Sequence, residues 1–90
     1  MQKTVAITVS GKVQGVFYRH HTREKAKELG ITGSVCNLED GSVRIIATGN
    51  AQQLAILENW CWRGPARAVV TGVEIAEQPL QSFDAFIIRR

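Results

Sequence analysis

The spacing of apolar residues changes abruptly between positions 9 and 18, and the change demands a fold in which a strand hands over directly to a helix. Residues 3–11 alternate, with Val5, Ile7 and Val9 on one side and Thr4, Ala6, Thr8 and Ser10 on the other. That is the period of a strand with one buried face. Past Val13-Gln14-Gly15-Val16, the positions Tyr18, Thr22, Ala26 and Leu29 recur at helical spacing, and Gly30 follows as a C-terminal stop. The chain has 90 residues. This is enough for one core and too little for two, so a single domain over 1–90 is expected, and every later element must pack on this first pair.

The later elements follow from the same two periods. Residues 31–37 and 42–49 read as short strands, and the Asp-Gly pair within Leu38-Glu39-Asp40-Gly41 signals a hairpin between them. Asn50 with Gln53 forms a capping pattern, Leu54, Leu57 and Cys61 make an apolar stripe, and Gly64-Pro65 ends that second helix. A Val-rich strand over 66–76, a loop at Pro79 and a closing strand over 83–89, with Phe86 and Ile88 on one side, complete the chain. Strand, helix, strand, strand, helix, strand, then a short extra strand is the order of an α+β, ferredoxin-like βαββαβ sandwich. Such a sandwich is an antiparallel sheet with both helices on one face. The architecture hosts many functions and by itself selects none.

Composition narrows the classes. Hydrophobic residues at 44% and charged residues at 21% describe a packed soluble fold and not a disordered tail. Eleven Lys and Arg against eight Asp and Glu leave a net charge of +3. That mild excess favours anions, but it is scattered along the chain, so a small phosphorylated metabolite fits as well as nucleic acid does. No stretch has the ~20 apolar residues of a membrane span. The start, Met1-Gln2-Lys3-Thr4-Val5, lacks the apolar block of a signal peptide, so a cytoplasmic protein without membrane attachment is expected. Cys36 and Cys61 are too few for a disulfide framework or a four-ligand zinc site and read as reduced thiols that pack as small hydrophobes.

Chemistry concentrates at the strand-to-helix junction. Unpaired N–H groups and the positive end of a helix dipole attract an anion there. Gly15 can take positive φ and curl the backbone so that successive N–H groups converge on one phosphate. Arg19, in the first helical turn, can lay a planar guanidinium beside that cradle. Spacing alone leaves a plainer reading open, in which Gly15 makes a tight turn and Arg19 is a solvated charge. The segment is not a Walker loop, because Lys12 precedes the turn and no Gly-Lys-Ser or Gly-Lys-Thr occurs.

The string Gly11-Lys12-Val13-Gln14-Gly15-Val16-Phe17-Tyr18-Arg19 resembles the N-terminal signature of the acylphosphatase family. The resemblance continues through Leu29-Gly30-Ile31-Thr32-Gly33, Val35-Cys36-Asn37, Asp40-Gly41-Ser42-Val43, Gly49, Gly64-Pro65 with Ala68 and Val70, and Phe86-Ile87-Ile88-Arg89, so it covers nearly the whole chain. It implies a small cytoplasmic hydrolase that cleaves carboxyl-phosphate mixed anhydrides to carboxylate and inorganic phosphate, with no metal and no organic cofactor. By the same likeness, the backbone of Gln14, Gly15, Val16, Phe17, Tyr18 and Arg19 and the Arg19 side chain would hold the phosphate, and Asn37 would orient the attacking water. Without the family, Asn37 reads first as the residue that closes a hairpin turn. At Phe17-Tyr18 the chain departs from the small residue followed by Phe that the family often carries, which implies a narrower or more aromatic mouth to the site and bears on substrate preference or rate.

The substrate so implied is a small acyl phosphate, with inorganic phosphate or sulfate as competing anions, and a monomer is expected. His20 and His21 are adjacent on a helix and point apart, which makes a poor metal chelate. Neither Cys36 nor Cys61 opens a loop with a nearby Arg that could cradle a phosphate around a thiolate. Asp40 and Asp84 read as turn and strand-end residues rather than an acid-base pair, and the alternating charges of residues 23–28 read as a wet helix face. Trp60 and Trp62 cannot both face inward from one helix, so they read as core and rim packing. The rival function is a reader of single-stranded RNA built on the same element order. That role stacks bases on aromatics of the central strands, where this chain offers Thr4, Ala6, Thr8, Arg44, Ile46 and Thr48.

Overall fold

A computed structural model describes residues 1–89. The alternating segment forms β1 (Gln2–Lys12), and the bend after it leads into α1 (Tyr18–Leu29). There follow β2 (Thr32–Asn37), β3 (Val43–Asn50), α2 (Ala51–Arg63), β4 (Val69–Gln78) and β5 (Phe86–Ile88). The strands form one sheet in the order β4-β1-β3-β2-β5. β3 pairs antiparallel with both β1 and β2, and β4 pairs antiparallel with β1. These four strands and two helices are the expected ferredoxin-like sandwich. The extra C-terminal strand adds to the far edge of β2, and it does so in parallel.

The two periods decide what is buried. Val5, Ile7 and Val9 of β1 pack with Val43, Ile45 and Ala47 of β3 under the helices. α1 turns Tyr18, Thr22 and Ala26 inward, and α2 turns Leu54, Leu57 and Cys61 inward, as the helical spacing predicts. Fully buried, Leu54 and Leu57 contribute about 1.5–3 kcal/mol each. Burial pushes the Cys61 thiol up to about 12, so it stays a neutral, unreactive hydrophobe. Asn50 caps α2 through a reciprocal pair: its Oδ1 accepts from Gln53 N, and Gln53 Oε1 accepts from Asn50 N, both at 2.8 Å. Gln53 Nε2 also donates to Leu29 O at 2.8 Å, tying the start of α2 to the end of α1.

One face departs from the simple alternation. Thr4 and Ala6 lie on the side of β1 away from the helices, yet both are buried. The cause is topological. β4 and β5 occupy opposite edges of the sheet, about 19 Å apart over four strand spacings. Residues 79–85 bridge that gap only by running nearly extended across the helix-free face. Gln81 crosses above the middle strands, where its N–H donates to Thr4 Oγ1 at 2.9 Å and its carbonyl accepts from Thr48 Oγ1 at 2.8 Å. The two hydroxyls also meet each other at 2.6 Å. Every buried hydroxyl there is satisfied, so the crossing costs little.

Gly33 shows how tightly β2 and β3 approach. Its φ is 142°, and a Cβ there would meet the Ile46 carbonyl. Gly33→Ala should lower stability by at least about 2 kcal/mol, read from the denaturant midpoint; an unchanged midpoint would contradict the close approach. The β2–β3 loop supplies a pH-dependent prediction. Asp40 accepts from Ser42 N at 3.0 Å and Ser42 Oγ at 2.6 Å, and these bonds hold its carboxyl below its ordinary 3.8. A carboxyl depressed by folding adds stability that is present above its unfolded value and lost as pH falls through the folded one. Asp40→Ala should therefore be less stable than the parent at neutral pH, and the gap should narrow as pH drops below 3.8. Parallel stability curves across that range would overturn it.

Candidate active site

The bend after β1 is anchored from below and open above. Val13 and Val16 are buried in the core, while Gly15 and Phe17 are exposed. Gly15 has φ 74°, and the space where a Cβ would stand holds no heavy atom within 4 Å. Glycine is needed there for its backbone conformation and not for room. Phe17 takes the left-handed region as well, at φ 63°, and is the N-cap of α1. A non-glycine residue in that region stores strain of about 1–3 kcal/mol. Phe17 gives no side-chain cap to the helix, and the first turn of α1 holds no acidic residue. The first N–H groups of α1 therefore keep their unmatched positive end.

Arg19 rises from that first turn, half-buried. Its nearest polar contact is Nη1 to the Arg89 carbonyl at 3.5 Å, the outer limit of a hydrogen bond. Among the described residues no carboxylate comes within ion-pair distance of it; the ion pairs are Arg23–Glu24 and Lys25–Glu28. The guanidinium thus brings nearly its full donor set to the cleft, with no described carboxylate to neutralise it.

Asn37 arrives from a different element. β1 and β2 both run antiparallel to β3, so their C-terminal ends leave the sheet on the same rim, about 10 Å apart. Asn37 is the last residue of β2, and its Oδ1 is buried with no hydrogen-bond partner among the described residues. A buried acceptor left in that state costs about 1–3 kcal/mol. Arg19 and Asn37 line one cleft of about 800 Å³ together with Val13, Gln14, Gly15, Phe17, His20 and Ile88. Of the other residues singled out in the sequence, Tyr18 also lines this cleft, whereas Val16 does not and lies in the core.

Two details differ from the expectation. The aromatic mouth comes from Phe17 alone, which is 74% exposed. The Tyr18 ring points the other way, into the core, against Trp60 with ring centroids 5.4 Å apart, and its hydroxyl donates to Cys61 O at 2.8 Å. Burial raises its phenol far above the usual range, so it does not ionise. The helical stripe Tyr18, Thr22, Ala26 already carried this signal. The second detail is the Gln14 side chain, which sequence reasoning passed over for its backbone. Its Nε2 reaches Leu38 O at 2.8 Å and Ser42 O at 2.9 Å in the β2–β3 loop. Only the tertiary contact reveals it.

His20 sits exposed on the rim and His21 is exposed beside it. Among the described residues no group of three or more His, Cys, Asp and Glu side chains is gathered where it could hold a metal ion. No helix among them is long and apolar enough to cross a membrane.

A family model described as Acylphosphatase matches residues 5–88. An acylphosphatase of Marinobacter nauticus is 54% identical over 81 residues, covering 89% of this chain and 88% of the relative. One from Pseudomonas paraeruginosa is 49% identical over 82 residues, covering 91% and 90%. Among solved structures, an acylphosphatase from Coxiella burnetii superposes with a TM-score of 0.95 at 42% identity, over 98% of this chain and 93% of that one. The Bacillus subtilis acylphosphatase gives the same TM-score, 0.95, at 30% identity over the full length of both chains. With the family model spanning nearly every residue and relatives this similar over nine-tenths of their length, the chain belongs to the acylphosphatase family of hydrolases.

Proposed function

We propose that the cleft hydrolyses small acyl phosphates without a metal or organic cofactor, with the phosphate held at the bend and water delivered from Asn37. The observation that carries this reading is the meeting, in one cleft, of an uncapped helix N-terminus, a guanidinium with no carboxylate partner among the described residues and an amide oxygen with no hydrogen-bond partner among them.

The backbone N–H groups of residues 14–19 take the phosphoryl oxygens, and Arg19 adds a forked, charged contact. In the transition state the transferring phosphoryl group carries its charge on the equatorial oxygens, where these donors sit. Asn37 Oδ1 accepts a hydrogen bond from one water proton and so turns the water oxygen toward phosphorus, in line with the bond to the acyl oxygen. As the new P–O bond forms, the P–O bond to the acyl group breaks and leaves as carboxylate. That leaving group is stable as an anion, so no strong general acid is required. Asn is neither acid nor base at neutral pH, so the water's proton passes to a phosphoryl oxygen of the substrate or to bulk water. Positioning and charge stabilisation together supply the rate. Phe17 and Ile88 border the same cleft and give the acyl group an apolar lip.

Hydrolysis of acetyl phosphate should persist in excess chelator, and inorganic phosphate or sulfate should compete with substrate. Arg19→Ala should raise KM and nearly abolish turnover, whereas Asn37→Ala should lower kcat by about a hundredfold or more with KM retained. Parent-like rates in both variants would remove the assigned roles. With no titrating enzyme group in the reaction, His20→Gln should leave the pH dependence of kcat unchanged; loss of a limb near neutrality would name His20 as the proton carrier instead.

A further inference from the structure

The roles above use only the backbone of Gln14. Its side chain does something separate. The amide nitrogen has two hydrogens, and both are directed into the loop that follows β2, to Leu38 O at 2.8 Å and Ser42 O at 2.9 Å. These two carbonyls already close that loop, since Leu38 N donates to Ser42 O at 2.8 Å and Gly41 N donates to Leu38 O at 3.2 Å. Inside the loop, the Asp40 carboxylate holds Ser42 through its N–H and its hydroxyl. The loop is therefore internally rigid, and Gln14 fixes it as a unit to the bend. Leu38, the first acceptor, directly follows Asn37 in the chain.

We propose that Gln14 is a positioning residue for hydrolysis: its side-chain amide sets the separation between the phosphate cradle and the Asn37 amide oxygen, and so places the attacking water on phosphorus. This rests on the reading of Asn37 as the group that holds the water. The physical argument is one of tolerance. Binding of phosphate depends on donors that all belong to the bend and the first turn of α1, and these survive if the loop drifts. In-line attack depends on a distance between two elements, and an error of about 1 Å there costs on the order of a hundredfold in rate. A glutamate at 14 has no donor when ionised, and a shorter asparagine reaches less far, so a glutamine amide suits two carbonyls at this distance.

The test uses acetyl phosphate and the whole protein. Gln14→Met keeps the length and the backbone N–H but removes both donors. Its kcat should fall by about tenfold to a hundredfold, while KM and the inhibition constant of inorganic phosphate stay within about twofold. In an Asn37→Ala background the same change should lower the residual kcat by less than about twofold, because the group being positioned is gone. A merely structural staple would instead reduce the rate equally in both backgrounds, and that result overturns the proposal. So does a parent-like kcat in Gln14→Met while Asn37→Ala is slow, or a joint rise of KM and the phosphate constant at unchanged kcat. A parent-like rate in Asn37→Ala would instead sink the reading of Asn37 itself. Gln14→Glu provides a second measurement if the methionine variant fails to fold. Its carboxyl faces two carbonyl oxygens, can donate only as the neutral acid, and is disfavoured there as an anion. The ratio of its kcat to that of the parent should rise as pH falls from about 8 to about 5, and a ratio flat with pH overturns the proposal.

Discussion

Backbone N–H groups at the start of a helix have no carbonyl within the helix to meet, and among the described residues of this protein no side chain takes their place. α1 begins behind Phe17 in the left-handed region, without a side-chain cap and without an acidic residue in its first turn. Arg19 adds a whole positive charge beside that end, with no carboxylate to balance it among the described residues. Left alone, such a concentration of donors favours whatever anion can enter. The fold tolerates it because the segment is held from beneath: Val13 and Val16 are in the core, and Tyr18 is wedged against Trp60 with its hydroxyl bonded to the Cys61 carbonyl. Stability is generated below the bend, and the unmet polarity above it is left for a ligand.

That division suits a reaction in which the substrate supplies much of the driving force. An acyl phosphate expels a carboxylate readily, so under the proposed mechanism the protein needs only to hold charge and aim water. Among the described residues the cleft is lined by one cation, Arg19, with His20 on its rim and Tyr18 bonded into the core, and its orphaned buried polar atom is a neutral amide oxygen. A site of this composition invests in geometry, and geometry between two loops has to be maintained by something that spans them. The sheet does part of this through β3, which pairs with both β1 and β2. The Gln14 amide does so directly, across the rim.

Much of the fold was legible because it is local. The stripes Tyr18, Thr22, Ala26 and Leu54, Leu57, Cys61 name the inward faces of the helices, and the Asn50–Gln53 pattern names the start of α2 to the residue. These depend on periods of a few residues and on caps formed by near neighbours. The burial of Thr4 and Ala6 was not legible. Alternation placed them on an outer face, and the connecting segment over 79–85 that covers them is more than seventy positions away. The parallel pairing of β5 with β2 is likewise a consequence of which edge of the sheet remains free after four strands have paired.

The candidate site divides along the same line. The amino-acid sequence by itself determined the cradle segment, the place of Gly15 where a positive φ is needed, and the presence of Arg19 in the next turn, since all three lie within one contiguous stretch whose conformation is set by adjacent residues. Family resemblance drew attention to Asn37. Tertiary structure alone decided that the end of β2 emerges on the rim beside the bend, that Phe17 stays exposed at the mouth, and that Gln14 reaches the loop beyond Asn37. Those facts depend on strand order and on hydrogen bonds between residues more than twenty apart in the chain, and no local pattern encodes the distance between two segments that meet only when the sheet has formed.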